Sequence, residues 1–240
     1  MQIDRMTMPE FTAGLAVTRT VLLPFGVTEQ HGPHLPLGTD TFQAEDVCLA
    51  LAKQRRVFVA PAIPYGVCRS TADHPGTIAL TTATLKALVI DIVRSLYRQG
   101  LRQVVLLSGH AGGTHNATLL DAGECLLHEL PELRIAVVTE YTLVSQTCQD
   151  LVVTRGDCHA GEIETSRMLA TRPELVKGSA PAEQSQFPPF ILVRDKQRYW
   201  QGGVGGDPAQ ASAEKGRQLE ARVVAALGQL VDELERGEAG

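Results

Sequence analysis

The stretch QVVLLSGHAGGTHN, residues 103–116, decides the fold. Val104, Val105, Leu106 and Leu107 form a short unbroken apolar run closed by Ser108 and Gly109, the signature of a parallel strand buried on both faces. A glycine-rich turn follows, and residues 114–129 then place apolar side chains three and four apart, as a helix does. Working outward, residues 20–26, 57–63 and 133–140 repeat the strand signature. Residues 39–54, 81–99, 162–170 and 209–236 repeat the helical one, several opening on Thr or Asp where an N-cap belongs. Strand alternating with helix predicts βαβ units with right-handed crossovers. The expected fold is therefore α/β: a single-domain layered fold over residues 1–240, with a mainly parallel sheet and helices on both faces. Residues 178–208, which hold the only tryptophan, Trp200, and the run GGVGGDP, fit neither signature and are expected to be a long ordered excursion.

Composition narrows the function. Apolar residues make up 44% of the 240 and charged residues 20%, enough for a large core. The net charge of −5, with Lys and Arg scattered singly, offers no basic stripe for phosphates, so nucleic acid is not an expected partner. Five cysteines stand far apart with no C-x-x-C pair, which speaks against a disulfide framework and against a thiolate zinc site, and for a reducing cytoplasm. No run approaches the ~20 apolar residues that cross a bilayer, so no membrane association is expected.

In open α/β sheets ligands sit beyond the carboxyl ends of the strands. Polar clusters stand at two such ends. In GVTEQHGPHLPLGTD, Glu29 and His31 are two apart, so in extended chain they face the same way, and Asp40 opens the next helix. Two carboxylates and an imidazole there can converge on a divalent cation. Solvated or turn-stabilising roles for Glu29 and His31, and an N-cap role for Asp40, are equally open from these residues alone. In SGHAGGTHN, His110 lies at the strand end beside Gly112 and Gly113, with His115 five residues on as a helix-surface or supporting histidine. A third cluster, CHAGEIETS, carries His159, Glu162 and Glu164. A spacing of three makes His159 and Glu162 neighbours on a helix, with Glu164 offset, and helix-opening acids also serve the macrodipole.

Taken in order, the strings GVTEQHGPHLPLGTD, HPGTIAL, SGHAGG, HAGEIETS and GGVGGDPAQASAEKG resemble the creatininase family across residues 20–217. The resemblance implies a two-metal hydrolase (Zn, Mn or Fe) that cleaves an amide C–N bond with a metal-bound hydroxide. It implies Glu29, His31, Asp40 and His110 as ligands with Asp40 as the bridge, and His159 as the catalytic histidine. Creatininase proper has a Glu ligand where this chain has Gly112, so Glu162 is the expected substitute, with Glu164 as its rival. Creatininase proper also carries tryptophans in the segment before the catalytic histidine, and residues 141–158 have none. A formamide or lactam is therefore expected ahead of creatinine, in the manner of archaeal-type formamidopyrimidine deformylases. Creatinine itself, a cofactor-precursor peptide, and a non-catalytic metal-binding role are the alternatives. Family resemblance further implies a homo-oligomer, with a hexamer among the forms, and Trp200 is an expected contact within it.

Overall fold

The computed structural model describes residues 1–237. Four strands, β1 (Thr20–Phe25), β2 (Phe58–Val59), β3 (Gln103–Ser108) and β4 (Arg134–Thr139), form one sheet in the order β2-β1-β3-β4. Every pairing is parallel, with Val21 opposite Val104 and Val104 opposite Ile135. The central pair β1 and β3 is apolar at nearly every position because both its faces are covered. Val21, Leu23, Phe25, Val104 and Leu106 face one core, while Leu22, Val105 and Leu107 face the other. Burying each such side chain is worth about 1.5–3 kcal/mol relative to exposure.

Seven α-helices are present among the described residues: α1 (Met8–Leu15), α2 (Thr39–Gln54), α3 (Thr82–Arg98), α4 (Gly113–Glu129), α5 (Glu140–Thr147), α6 (Glu162–Thr171) and α7 (Ala213–Arg236). Leu85, Val89 and Val93 of α3 and Leu119, Ala122 and Leu126 of α4 cover one face of the sheet. Val47 and Leu51 of α2, Leu143 and Val144 of α5 and Leu219, Val223 and Leu227 of α7 cover the other. The layered α/β architecture is the expected one. No helix among the described residues is long and apolar enough to cross a membrane.

One local expectation is corrected and two helices are added. The strand expected over residues 57–63 is cut to Phe58–Val59, with only an isolated bridge from Phe25 to Ile63, because Pro61 and Pro64 cannot donate to a ladder. Helix α5 was hidden by the strand before it: Thr139 ends β4 and also caps α5, its hydroxyl accepting the Thr142 N–H at 3.0 Å. Helix α1 also escaped the sequence reading. The excursion over residues 178–208 is held down rather than loose. Glu183 and Gly206 pair as an antiparallel bridge, and the Gln197 side-chain amide donates to the Asp73 carbonyl at 2.7 Å.

Candidate metal centre

The carboxyl ends of β1 and β3 deliver the first residues. Glu29 and His31 lie on the loop after β1, His110 lies just beyond β3, and Asp40 is the second residue of α2. Asp40 does not cap its helix, since the N-cap position is Gly38 with no side-chain bond. Its carboxylate is turned inward instead. Oδ1 stands 3.0 Å from His31 Nε2 and Oδ2 stands 3.1 Å from His110 Nδ1. Glu29 Oε2 lies 2.9 Å from the same His110 nitrogen. All four residues are buried.

The third cluster is resolved differently from expectation. Helix α6 begins only at Glu162, so His159 is not on it and the three-residue helical spacing does not apply. His159 sits in an extended bridge, with the Gly205 N–H donating to its carbonyl at 2.6 Å. Within the helix, two residues correspond to a rotation of about 200°, so Glu162 and Glu164 point to opposite sides. The structure places Glu164, not Glu162, at the cluster: Glu164 Oε2 is 3.6 Å from His31 Nε2 and accepts the Ala160 N–H. Glu162 faces away, accepting the Thr154 N–H at 2.7 Å and pairing with Lys215. Asp157 sets this arrangement by accepting the first N–H groups of α6, at 2.5 Å from Glu162 and 3.1 Å from Ile163.

Gly112 explains why no carboxylate follows His110. A Cβ on Gly112 would lie 2.2 Å from His110 Nε2, so a side chain there would push the imidazole out of place. His115 stands behind the cluster, fully buried, its Nδ1 accepting the Val67 N–H at 3.2 Å and its ring edge-on to His110. Burial, helped by the neighbouring His110 charge, holds His115 down at about 3, which keeps it neutral. Gly113 lines the pocket beside the cluster.

The electrostatics are those of a cation site. Burial penalises charge on His110, yet Glu29 and Asp40 outweigh it and push the imidazole up to about 10. His31 is raised well above its ordinary value against burial by Asp40 and Glu164. Glu29 and Asp40 are held below the usual carboxylate range, burial being outweighed by the histidines. Protons on His31 and His110 thus carry the positive charge that this field demands. Divalent cations fit the same residues. Glu29 Oε2 and Asp40 Oδ2 are buried acceptors that share a single neighbouring nitrogen, His110 Nδ1, whose one proton cannot satisfy both, and the donor set is carboxylate and imidazole. Two groups of ligand atoms lie within 4.8 Å of one another, Glu29–Cys68–His110 and His31–His159–Glu164, and Asp40 stands between them.

Several contributors had no signal in the sequence. Thr71 and Cys68, from the loop after β2, both contact Glu29 Oε1, Cys68 Sγ at 3.0 Å, which turns Oε2 toward the cluster. His159 Nε2 is held between the Gln30 carbonyl at 2.8 Å, which can only accept, and the Gln30 side-chain nitrogen at 3.2 Å, which can only donate. Trp200 is a correction: the expected surface contact is buried. Its indole N–H donates to the Val204 carbonyl at 2.7 Å and its ring lies edge-on 5.3 Å from His159. With Phe187 and Ser185 it lines a cavity of about 280 Å³ that Glu29, Asp40, His110 and Glu164 also line. Cys158 also lines this cavity and is exposed, but partial desolvation, with Glu164 and Asp157, raises its thiol to about 11, which disfavours the thiolate near neutral pH.

A parallel α/β sheet with carboxylates and imidazoles gathered at its carboxyl edge defines the class of α/β proteins equipped for divalent cations. Comparison with known proteins carries this further. The creatininase family, described as creatinine amidohydrolase, matches residues 4–231, and the chain belongs to that family. It is a creatininase-family amidohydrolase. It is 33% identical over 216 residues to the mycofactocin precursor peptide peptidase of Mycolicibacterium smegmatis, covering 85% of this chain and 81% of that one. To the creatinine amidohydrolase of Pseudomonas putida it is 31% identical over 240 residues, covering 90% of each. A manganese creatininase structure and a Zn–Zn structure of a creatininase mutant are each 27% identical, with TM-scores of 0.85 and 0.83 and 97% of both chains covered.

Proposed function

We propose that this chain hydrolyses an amide C–N bond in a small planar substrate, a formamide or lactam on a heterocycle, using two divalent cations that Asp40 would help to hold on both sides. The observation that carries the reading is the Asp40 carboxylate, one oxygen at His31 and the other at His110. Glu29 and His110 would complete one position, and His31 and Glu164 the other. Zn, Mn and Fe all suit these donors. Bound there, two cations polarise a carbonyl and supply a water-derived nucleophile at neutral pH.

The chain's own groups account for the remaining steps. Thr71 fixes Glu29, and the chain turns around Gln30 fix His159. Burial, with the His31 charge adding to it, lowers the His159 pKa, so the ring is neutral near pH 7. With Nε2 held by Gln30, Nδ1 is the atom that takes a proton from the attacking water and returns it to the leaving nitrogen. Phe187 and Trp200, nearly perpendicular with ring centroids 6.2 Å apart, give the cavity an aromatic side, and its volume of about 280 Å³ admits a small molecule or a chain end rather than a folded partner. A peptide bond is the second reading, favoured by the 33% identity to a precursor-peptide peptidase. Creatinine ranks after these, on the absence of tryptophan in residues 141–158.

The test is a panel of formylamino-pyrimidines, simple lactams, short peptides and creatinine, run with each metal and assayed for formate and amine. Fastest turnover of creatinine overturns the substrate reading. No hydrolysis of any amide by fully loaded protein favours a non-catalytic metal-binding role. We further propose a single domain over residues 1–240, a cytoplasmic setting, supported by five free cysteines, and a homo-oligomer, with a hexamer as the expected form. Exposed Phe190, Ile191 and Leu192, rather than Trp200, supply the apolar contact surface for assembly.

A further inference from the structure

The two halves of the cluster differ in donor chemistry. Around His31, the available atoms are nitrogen and oxygen only: His31 Nε2, Asp40 Oδ1, Glu164 Oε2 and an imidazole nitrogen of His159. Around His110, a sulfur is also within reach. The ligand atoms of Glu29, Cys68 and His110 lie within 4.8 Å of one another, and Cys68 is buried. Cys68 Sγ stands 3.0 Å from Glu29 Oε1 and 2.7 Å from the Thr71 hydroxyl. A sulfur beside an acid is not a site by itself. Here, however, Glu29 Oε2 and Asp40 Oδ2, on residues 2% and 1% exposed, have only His110 Nδ1 within reach, at 2.9 and 3.1 Å, and one nitrogen carries at most one proton, so a buried acceptor is left over for a cation.

We propose that Cys68 is a ligand of the cation on the Glu29–His110 side, which makes that position thiophilic while the His31–Glu164 side remains an all-nitrogen-and-oxygen position. The inference rests on the metal-binding reading above and adds an asymmetry to it. Thiolate donors select zinc-like ions, whereas carboxylate and imidazole donors also accept manganese. Coordination breaks the S–H bond and forms a sulfur–metal bond. The proton leaves to solvent, no electron is transferred, and the dication compensates the thiolate. Thr71 keeps its bond to Glu29 Oε1, so Glu29 stays oriented when the thiol hydrogen is gone.

The test uses the full chain loaded with two equivalents of cobalt(II). The expected result is a near-ultraviolet sulfur-to-cobalt charge-transfer band that disappears in Cys68→Ser while two cobalt ions and their visible d–d bands persist. Zinc-edge X-ray absorption on the unaltered protein serves if that variant does not fold; it should show a sulfur scatterer at about 2.3 Å. Two bound cobalt ions without a charge-transfer band, a band that survives Cys68→Ser, or a zinc shell of nitrogen and oxygen alone overturns the proposal and leaves the hydrolase reading standing. Absence of cobalt binding, with no d–d bands, overturns both.

Discussion

Gly109 and Asp40 are in backbone contact: a Cβ built on Gly109 would lie 2.0 Å from the Asp40 carbonyl oxygen. The end of β3 and the start of α2 can approach this closely only because residue 109 has no side chain, and that approach brings Asp40 to His110. Substituting Asp40 by Ala should therefore empty both cation positions together, taking the metal content from about two ions per chain toward none. Elemental analysis after reconstitution with Zn, Mn or Fe(II) checks this. Loss of one ion with full retention of the other would show that Asp40 is not shared.

Glu164 and Glu162 separate function from stability. Glu164→Gln should weaken the cation on the His31 side and abolish turnover with little change in melting. Glu162→Gln should leave metal content intact and lower stability by about 1–3 kcal/mol, since the Lys215 ion pair and the Val153 and Thr154 amide bonds lose their charged acceptor. Metal analysis beside thermal melts of both variants decides it. The opposite pattern would return the ligand role to Glu162.

Cation affinity should rise with pH. The His110 pKa is raised from its ordinary value to about 10 by Glu29 and Asp40 against burial. In the cation-free protein the stability this contributes is fully present below about pH 6.5 and is lost as pH rises through 10. A cation must displace that proton, so affinity should increase about tenfold per pH unit for each proton displaced between those limits. Chelator competition at pH 7, 8 and 9, corrected for the chelator's own protonation, measures the slope. A flat profile would show that no imidazole proton is released.

Arg167 should be a structural keystone without chemistry of its own. Buried on α6 itself, it donates to Glu140 at 2.6 and 3.1 Å, to Glu220 at 2.9 Å and to Gln43 at 2.7 Å, tying α6 to α5, α7 and α2. Arg167→Ala strands two carboxylates and should cost about 3–5 kcal/mol. Restoring volume alone with Met should recover little unless Glu140 is made neutral as well. Denaturant unfolding of Arg167→Met and of Arg167→Met with Glu140→Gln tests the pairing; equal stability of the two would count against it.

The sequence by itself determined the layered sheet and the residues that ring its carboxyl edge. Buried strands announce themselves by unbroken apolar runs such as 104–107, helices by their period, and Glu29, His31, Asp40 and His110 follow strand ends where ligand sites form. What the tertiary structure alone decided depends on where a helix starts and what lands on it from far along the chain. Glu162 and Glu164 are indistinguishable until the first residue of α6 is known, because that residue sets which side of the helix each one faces. Cys68, Thr71 and Trp200 reach Glu29 and His159 across some forty residues each. Such contacts are set by the packing of loops over the sheet edge, and loop packing leaves no periodic trace in a sequence.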